Sequence, residues 1–303
     1  MPGITGIISN YFAEQNKNDL QLMINSMMHE TIYNFGSNIN EELGIYLGWV
    51  CHKGSFVDCM PIWNEKKDKC LLFYGENFSD REIIDSLKKN GHEFNSDNAS
   101  YLIHLFEEKG DDFFLYLNGF FHGVLIDVPS NEVILFNDRY GMQRVYYYEK
   151  KGTFLFSSEA KSLLKICPEL REIVPVSLGQ LFSMGCILGN DTLFKNVYQL
   201  PGASLWKFKS GNCEKKDYYF NHKDWENQSL IKKDQFYNEL KETFIKILPK
   251  YLNDSKPVGM SLTGGLDTRI IMAHANRPPE SFPCYTFGSM SRDSFDVKVA
   301  RKI

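Results

Sequence analysis

The sequence predicts an α+β layered domain followed by the opening of a parallel α/β unit. Three observations carry this. Short runs rich in Ile, Val, Phe and Tyr, closed by Gly or Asn, recur through residues 1–208. From Lys207 to Lys233 the composition turns to Lys, Asp, Asn and Glu, as in a linker. Beyond it, a strand-like run, two glycines, a helical run and a second strand-like run succeed one another.

Taken in order, the strands of the first part are expected at Gly3–Ser9, Gly44–Val50, Cys70–Tyr74, Gly119–Val128, Glu132–Asn137, Val145–Glu149 and Thr153–Ser157. A helix is expected over Asp80–Asn90 and stops at Gly91. Ser79-Asp80-Arg81-Glu82 before it has the form of a capping box. A second helix runs over Ala99–Glu108, with Leu102, Leu105 and Phe106 on one face. Strands, then helices, then strands argue for layers rather than a doubly wound sheet. The domain boundaries expected are 1–208, a linker over 209–233, and 234–303.

After the linker, Asp234 is placed to cap a helix whose apolar stripe is Phe236, Leu240, Phe244, Ile247 and Leu248. Pro257–Leu262 then reads as a strand, Thr268–Ala275 as a helix and Pro283–Phe287 as a second strand, one crossover unit of a parallel sheet. Between strand and helix lies Ser261-Leu262-Thr263-Gly264-Gly265-Leu266-Asp267-Thr268-Arg269. The first N–H groups of a helix have no intrahelical partner, and the helix dipole favours negative charge there. With a hydroxyl on each side of the glycines, this is the local geometry that holds a phosphate. No lysine follows the glycines, so it is not a Walker loop. On these residues alone a plain turn remains the other reading. Ser294–Ile303 reads as the first turns of an amphipathic helix.

The bulk numbers exclude some classes. Of 303 residues, 43% are hydrophobic and 24% charged, with a net charge of −4. Neither nucleic acid nor an anionic membrane is an expected partner of such a chain. With Glu14 and Asp19 in the first twenty residues no signal peptide is expected there, and no run reaches the length of a membrane span. The seven cysteines hold no C-x-x-C pair and read as scattered reduced thiols of a cytoplasmic protein. The seven histidines show no ligand spacing along the chain, and none is given a role.

Five segments, in order, resemble the glutamine-hydrolysing asparagine synthetase family, which includes β-lactam-forming synthetases. YGENFSDREI (Tyr74–Ile83) resembles NGEIYNHREL, and LNGFFHGVLID (Leu117–Asp127) resembles LNGMFAFALWD. NDRYGMQRVYYYEKKGTFLFSSEAKSLL (Asn137–Leu164) resembles RDRLGIKPLYY followed by FASEIKALL. LFKNVYQLPGASLWKF (Leu193–Phe208) resembles the segment before the family's interdomain linker, and SLTGGLDT (Ser261–Thr268) resembles LSGGLDS.

The resemblance implies an N-terminal-nucleophile αββα sandwich as a glutaminase domain, then the start of an adenine-nucleotide α-hydrolase-like (PP-loop) domain. There ATP would activate a carboxylate as an acyl-adenylate, and ammonia or an amine would displace AMP. It implies ATP and magnesium as cofactors. Leu262, Thr263, Gly264, Gly265, Leu266, Asp267 and Thr268 would hold pyrophosphate, Asp267 would hold the metal, and Phe287 and Gly288 would contact adenine. On sequence alone Phe287-Gly288 reads equally as a strand end and turn, and Asp296 as a solvated helix residue.

The chain also departs from the pattern. The family's nucleophile is a cysteine at residue 2, and here it is Pro2. The family's arginine segment for the glutamine carboxylate has no counterpart in His29–Asn38, and its oxyanion-hole asparagine is replaced by Tyr74. Gly75, Glu76 and Asp97 match positions that grip the substrate amino group. The expectation is a glutaminase that kept its fold and lost its chemistry. The other readings are a Pro2 amine with chemistry of its own, and a pseudo-glutaminase persisting as a structural or regulatory binding module. The family's second magnesium aspartate and its phosphate-stabilising lysine lie beyond the equivalent of Ile303. The chain is therefore expected to be a truncated form, inactive alone, or one completed by a second polypeptide.

Overall fold

The structure, a computed structural model, describes residues 2–252, 258–275, 277–278 and 280–303. It divides into two compact units, Met1–Lys223 and Asp224–Ile303.

In the first unit β1 (Gly3–Ser9) leads to α1 (Ala13–Met27), the hairpin of β2 (Tyr33–Asn40) and β3 (Ile45–His52), the short β4 (Ile62–Trp63) and β5 (Lys69–Asn77). Helices α2 (Arg81–Lys89), α3 (Tyr101–Lys109) and α4 (Phe113–Tyr116) follow. Then come β6 (Gly119–Asp127), β7 (Glu132–Asn137), β8 (Tyr146–Lys150) and β9 (Thr153–Ser157), helices α5 (Ala160–Ile166) and α6 (Pro175–Met184), and β10 (Tyr198–Gln199), β11 (Ser204–Lys209) and β12 (Asn212–Tyr218).

These strands make two six-stranded antiparallel sheets, in the orders β10-β8-β9-β1-β3-β2 and β12-β11-β7-β6-β5-β4. Side-chain alternation decides the layers. On β1, Ile4 and Ile8 enter the core that the two sheets share, while Ile7 turns to the other face. Ile45, Leu47, Trp49 and Cys51 of β3 do the same, with Tyr46 and Val50 on the other face. That other face is covered by Leu20, Met23, Ile24 and Met27 of α1 and by Leu163 of α5. Phe154 of β9 meets Phe208 of β11 across the sheets, ring centroids 4.8 Å apart. On the second sheet Phe73, Phe121 and Phe136 join Phe113 and Phe114 of α4, with Phe114 to Phe136 at 5.2 Å. Each fully buried ring or aliphatic side chain contributes about 1.5–3 kcal/mol of transfer free energy. The result is helix, sheet, sheet, helix, as expected.

Several details differ from expectation. The all-apolar strands were legible, but β2 and β12 are polar edge strands. No residue of either strand is buried, so neither carries the apolar run that marks the inner strands. The segment read as linker from residue 209 thus contributes β12 to the sandwich, pairing Ser204–Lys209 with Asn212–Tyr218. Helices α1, α5 and α6 stand where no helix was expected. The capping box does not form. Asp80 occupies the N-cap position without a side-chain capping bond, and the Ser79 hydroxyl is engaged by Tyr101 Oη at 2.9 Å and Asn77 Nδ2 at 2.8 Å.

The second unit holds α7 (Lys233–Leu252), β13 (Met260–Ser261), α8 (Leu266–His274), β14 (Cys284–Tyr285) and α9 (Phe295–Ala300). Asp234 lies inside α7 rather than capping it. Of the expected stripe Leu248 is buried, Phe244 is half-buried, and Phe236, Leu240 and Ile247 are exposed. β13 and β14 pair in parallel, Met260 with Cys284 and Ser261 with Tyr285. The expected start of the first of these strands, Pro257, lies outside the described residues. Ser294 caps α9 by accepting from Val297 N–H. No helix among the described residues is long and apolar enough to cross a membrane.

Candidate functional site

Two places follow from the sequence, one in each unit. The first is the end of the sandwich where β1 begins. Pro2 is buried there. Two residues on, Ile4 N–H donates to Ser158 Oγ at 2.8 Å, and Ser158 Oγ lies 3.0 Å from Ile4 O. Ser158 also meets His122 Nε2 at 2.7 Å. His122 pairs with Tyr74 in the β5–β6 register, and the two rings lie 5.4 Å apart. Burial lowers the His122 pKa to about 3, so the imidazole is neutral. Burial also raises the Tyr74 phenol, with Tyr33, Cys51 and Glu76 adding to it. Tyr74 is thus a neutral phenol beside the neutral His122 ring.

Gly75 has φ +120°, and a Cβ there would lie 2.0 Å from Phe120 O. Its identity is therefore demanded by the β5–β6 contact itself. Glu76 and Asp97 are both exposed. The segments that carry them are tied through Tyr101, whose hydroxyl receives Asn77 Nδ2 at 2.8 Å. Asn77 Oδ1 in turn accepts Asn118 N–H at 2.7 Å.

The segment without the family's arginine forms the edge strand β2. Its polar groups serve the fold: Asn34 Nδ2 and Gly54 N–H each donate to Asp58 at 2.7 Å. At its start His29 meets Lys161 Nζ at 2.5 Å and Glu159 Oε1 at 3.5 Å, and Lys161 bridges to Glu159 at 2.8 Å. A lysine–glutamate–histidine group thus stands beside Ser158.

The second place is the loop between β13 and α8. Leu262 is buried and its N–H donates to Tyr285 O at 2.8 Å, which fixes the loop to β14. Thr268 Oγ1 is 3.1 Å from Thr263 O, 3.3 Å from Thr263 N and 3.4 Å from Thr263 Oγ1. Gly265 N–H donates to Thr263 Oγ1 at 3.2 Å. Gly264 N–H donates to Asp296 Oδ1 at 2.9 Å, so Asp296, an exposed residue of α9 as expected, also engages the loop. A Cβ on Gly264 would come within 2.8 Å of that oxygen. Leu266 and Asp267 are exposed in the first turn of α8. Arg269 Nε donates to Gly265 O at 3.2 Å rather than reaching outward. Phe287 is exposed with its ring 5.6 Å from Tyr285, and Gly288 lies against Val297.

The turn of the third resembling segment is a scaffold. Asp138 is buried and accepts N–H bonds from Tyr140, Met142 and Gln143 at 3.1, 3.0 and 2.9 Å. Sequence reasoning missed His122 and Ser158. The signal was present in LNGFFHGVLID, where a lone histidine interrupts an apolar strand.

Comparison with known proteins agrees with this architecture. The family profile described as a glutamine amidotransferase domain matches residues 1–219. "Asparagine synthetase [glutamine-hydrolyzing] 2" of Bacillus subtilis (strain 168) is 24% identical over 320 residues, 99% of this chain and 42% of that protein. The Zea mays "Asparagine synthetase [glutamine-hydrolyzing]" is 25% identical over 252 residues, 80% of this chain and 38% of that protein. The chain therefore spans less than half the length of these curated relatives. Among solved structures, glutamine phosphoribosylpyrophosphate amidotransferase from B. subtilis superposes with a TM-score of 0.51 at 11% identity, covering 94% of this chain and 65% of that one. At that identity the likeness speaks for the fold alone, the N-terminal-nucleophile αββα sandwich.

Proposed function

The chain belongs to the glutamine amidotransferase domain family, and from that premise we propose an asparagine-synthetase-like, ATP-dependent amide-forming activity without glutaminase chemistry. In this reading the second unit opens a PP-loop domain. A carboxylic acid is adenylated, and ammonia or an amine completes the amide, as in the branch that includes β-lactam-forming synthetases. A cytoplasmic setting fits seven free thiols.

The observation that carries the nucleotide half is the contact of Gly264 N–H with Asp296 Oδ1 at the foot of α8. The loop amide already donates to an anionic oxygen, a place that a phosphate oxygen would take by displacing the Asp296 carboxylate. The N–H groups of the first turn of α8 and the Thr263 and Thr268 hydroxyls suit the remaining oxygens. Asp267 would hold magnesium, a hard ion that prefers oxygen donors. Bound Mg·ATP would supply the adenylyl group that activates the acid. The loop residues would orient the phosphates and offset their charge.

The glutaminase half rests on Pro2 and Tyr74. Proline offers no thiolate, and Tyr74 offers no amide donor to an oxyanion.

ATP–pyrophosphate exchange across a panel of carboxylic acids, run on a protein whose ATP domain has the full length of the curated relatives and beside glutamate release from glutamine, tests the reading. Acid-dependent exchange without glutamate release is expected. Absence of both exchange and Mg·ATP binding would instead favour the binding-module reading.

A further inference from the structure

Outside both sites, three stretches of chain bring four metal-ligating side chains together. Glu65 follows β4, His92 follows α2, and His104 and Glu107 stand one turn apart on α3. An i, i+3 pair shares one helix face, so α3 alone aims two of the groups at one spot. One donor atom from each of the four lies within 4.8 Å of all the others. His104 Nδ1 is 3.1 Å from Glu107 Oε2 and 3.5 Å from Glu65 Oε2, and His92 Nδ1 is 3.7 Å from Glu65 Oε1. Bonds of about 2.1 Å on tetrahedral axes separate neighbouring donors by about 3.4 Å. With the donors within 4.8 Å of one another, closing on one ion asks for side-chain movements of about 1 Å.

The charges call for a cation. Glu65 and Glu107 converge on two imidazoles, and Glu108 adds a third carboxylate 3.4 Å from His92 Nε2. Among the described residues no lysine or arginine forms an ion pair with these three acids. A single divalent ion would satisfy all four donors.

The surroundings have the order found behind metal ligands. His92 turns its far nitrogen to Glu108, a carboxylate–histidine–metal arrangement that orients the ring. Asn64 Nδ2 donates to Glu107 Oε1 at 2.8 Å, and Asn90 Nδ2 to Glu108 Oε1 at 2.5 Å. Phe94 stacks on His104 at 5.7 Å, and His104 is itself 4% exposed.

We propose that Glu65, His92, His104 and Glu107 form a structural site for a divalent transition ion, with zinc the best match to two imidazole nitrogens and two carboxylate oxygens. Four protein donors leave no open position for substrate. The ion staples the turn before β5 and the turn after α2 onto α3. The sequence hides this site, since its ligands come from three separated stretches.

The 303-residue chain, stripped with chelator, is titrated with Zn²⁺ and separately with Co²⁺. One equivalent should bind at neutral pH. The cobalt spectrum should show tetrahedral nitrogen and oxygen ligation without a sulfur charge-transfer band, which separates this site from the seven free thiols. Affinity should fall on acidification, because protons compete with the ion for its donors. Glu108→Gln should weaken binding about 10–100-fold, and His92→Ala at least as much. Glu65→Gln alters a side chain that is 53% exposed, so folding is spared while affinity falls comparably. Failure to bind one equivalent, a thiolate band, or wild-type affinity in Glu65→Gln and His92→Ala would each overturn the proposal.

Discussion

His122 Nε2 and Ser158 Oγ meet at 2.7 Å and join a strand of one sheet to the end of a strand of the other. His122 is 1% exposed, and its Nδ1 has no hydrogen-bond partner among the described residues. Burial alone sets its pKa near 3. The unfolded chain therefore takes up a proton that the folded chain refuses, between pH 6.5 and that value. Stability from this group is fully present above the unfolded pKa and is lost as pH falls. The expected slope is up to about 1.4 kcal/mol per pH unit. Urea unfolding at a series of pH values should show it, and His122→Gln should remove it. An equal acid slope in the variant would place the sensitivity elsewhere.

Asp138 supports a different joint of the sandwich. Three backbone N–H groups point at its carboxylate, and Gly141 N–H donates to its main-chain oxygen at 3.0 Å. Asp138→Ala removes the acceptor of three N–H groups in a part-buried turn and should cost about 1–3 kcal/mol. Asp138→Asn keeps one acceptor oxygen and should cost less. Chemical denaturation of both variants checks the order.

Glutamine chemistry offers a third outcome. Wild-type protein should release no glutamate from glutamine. Pro2→Cys restores a thiol at the head of β1 but leaves Tyr74 against His122, 5.4 Å between rings. Release should therefore stay at background in the single variant. Hydrolysis by the wild type would refute the lost-chemistry reading, and hydrolysis by Pro2→Cys would show that Tyr74 does not block the site.

How much was legible follows from what each residue contacts. The strands of β1, β3, β6 and β7 face apolar layers on both sides, so their composition announces them. β12 reads Asn-Cys-Glu-Lys-Lys-Asp-Tyr, because an edge strand with solvent on it needs no apolar face. Ser79 and Glu82 had the spacing of a cap, but Asp80 takes the N-cap position and the serine meets a tertiary partner, Tyr101. His92 and His104 looked unrelated along the chain, and only the packing of α2 against α3 brings their rings to 4.7 Å. The glycine loop was legible because its geometry is local. Asp296's part in it was not, since that bond spans 32 positions.

That bond also shapes the last prediction. Gly264 must lack a side chain for Asp296 Oδ1 to reach its N–H at 2.9 Å, since a Cβ would stand 2.8 Å from the oxygen and 3.3 Å from the Phe295 ring. Gly264→Ala should push α9 off the loop and weaken Mg·ATP binding about tenfold or more, read by calorimetry. Asp267→Ala removes an exposed carboxylate that no hydrogen bond of the loop needs, so its fold should persist. Binding of ATP without magnesium should change little in that variant, while the gain on adding magnesium should vanish. A magnesium gain equal to wild type would remove Asp267 as the metal ligand. Unaltered affinity in Gly264→Ala would mean that the nucleotide is not held at this turn.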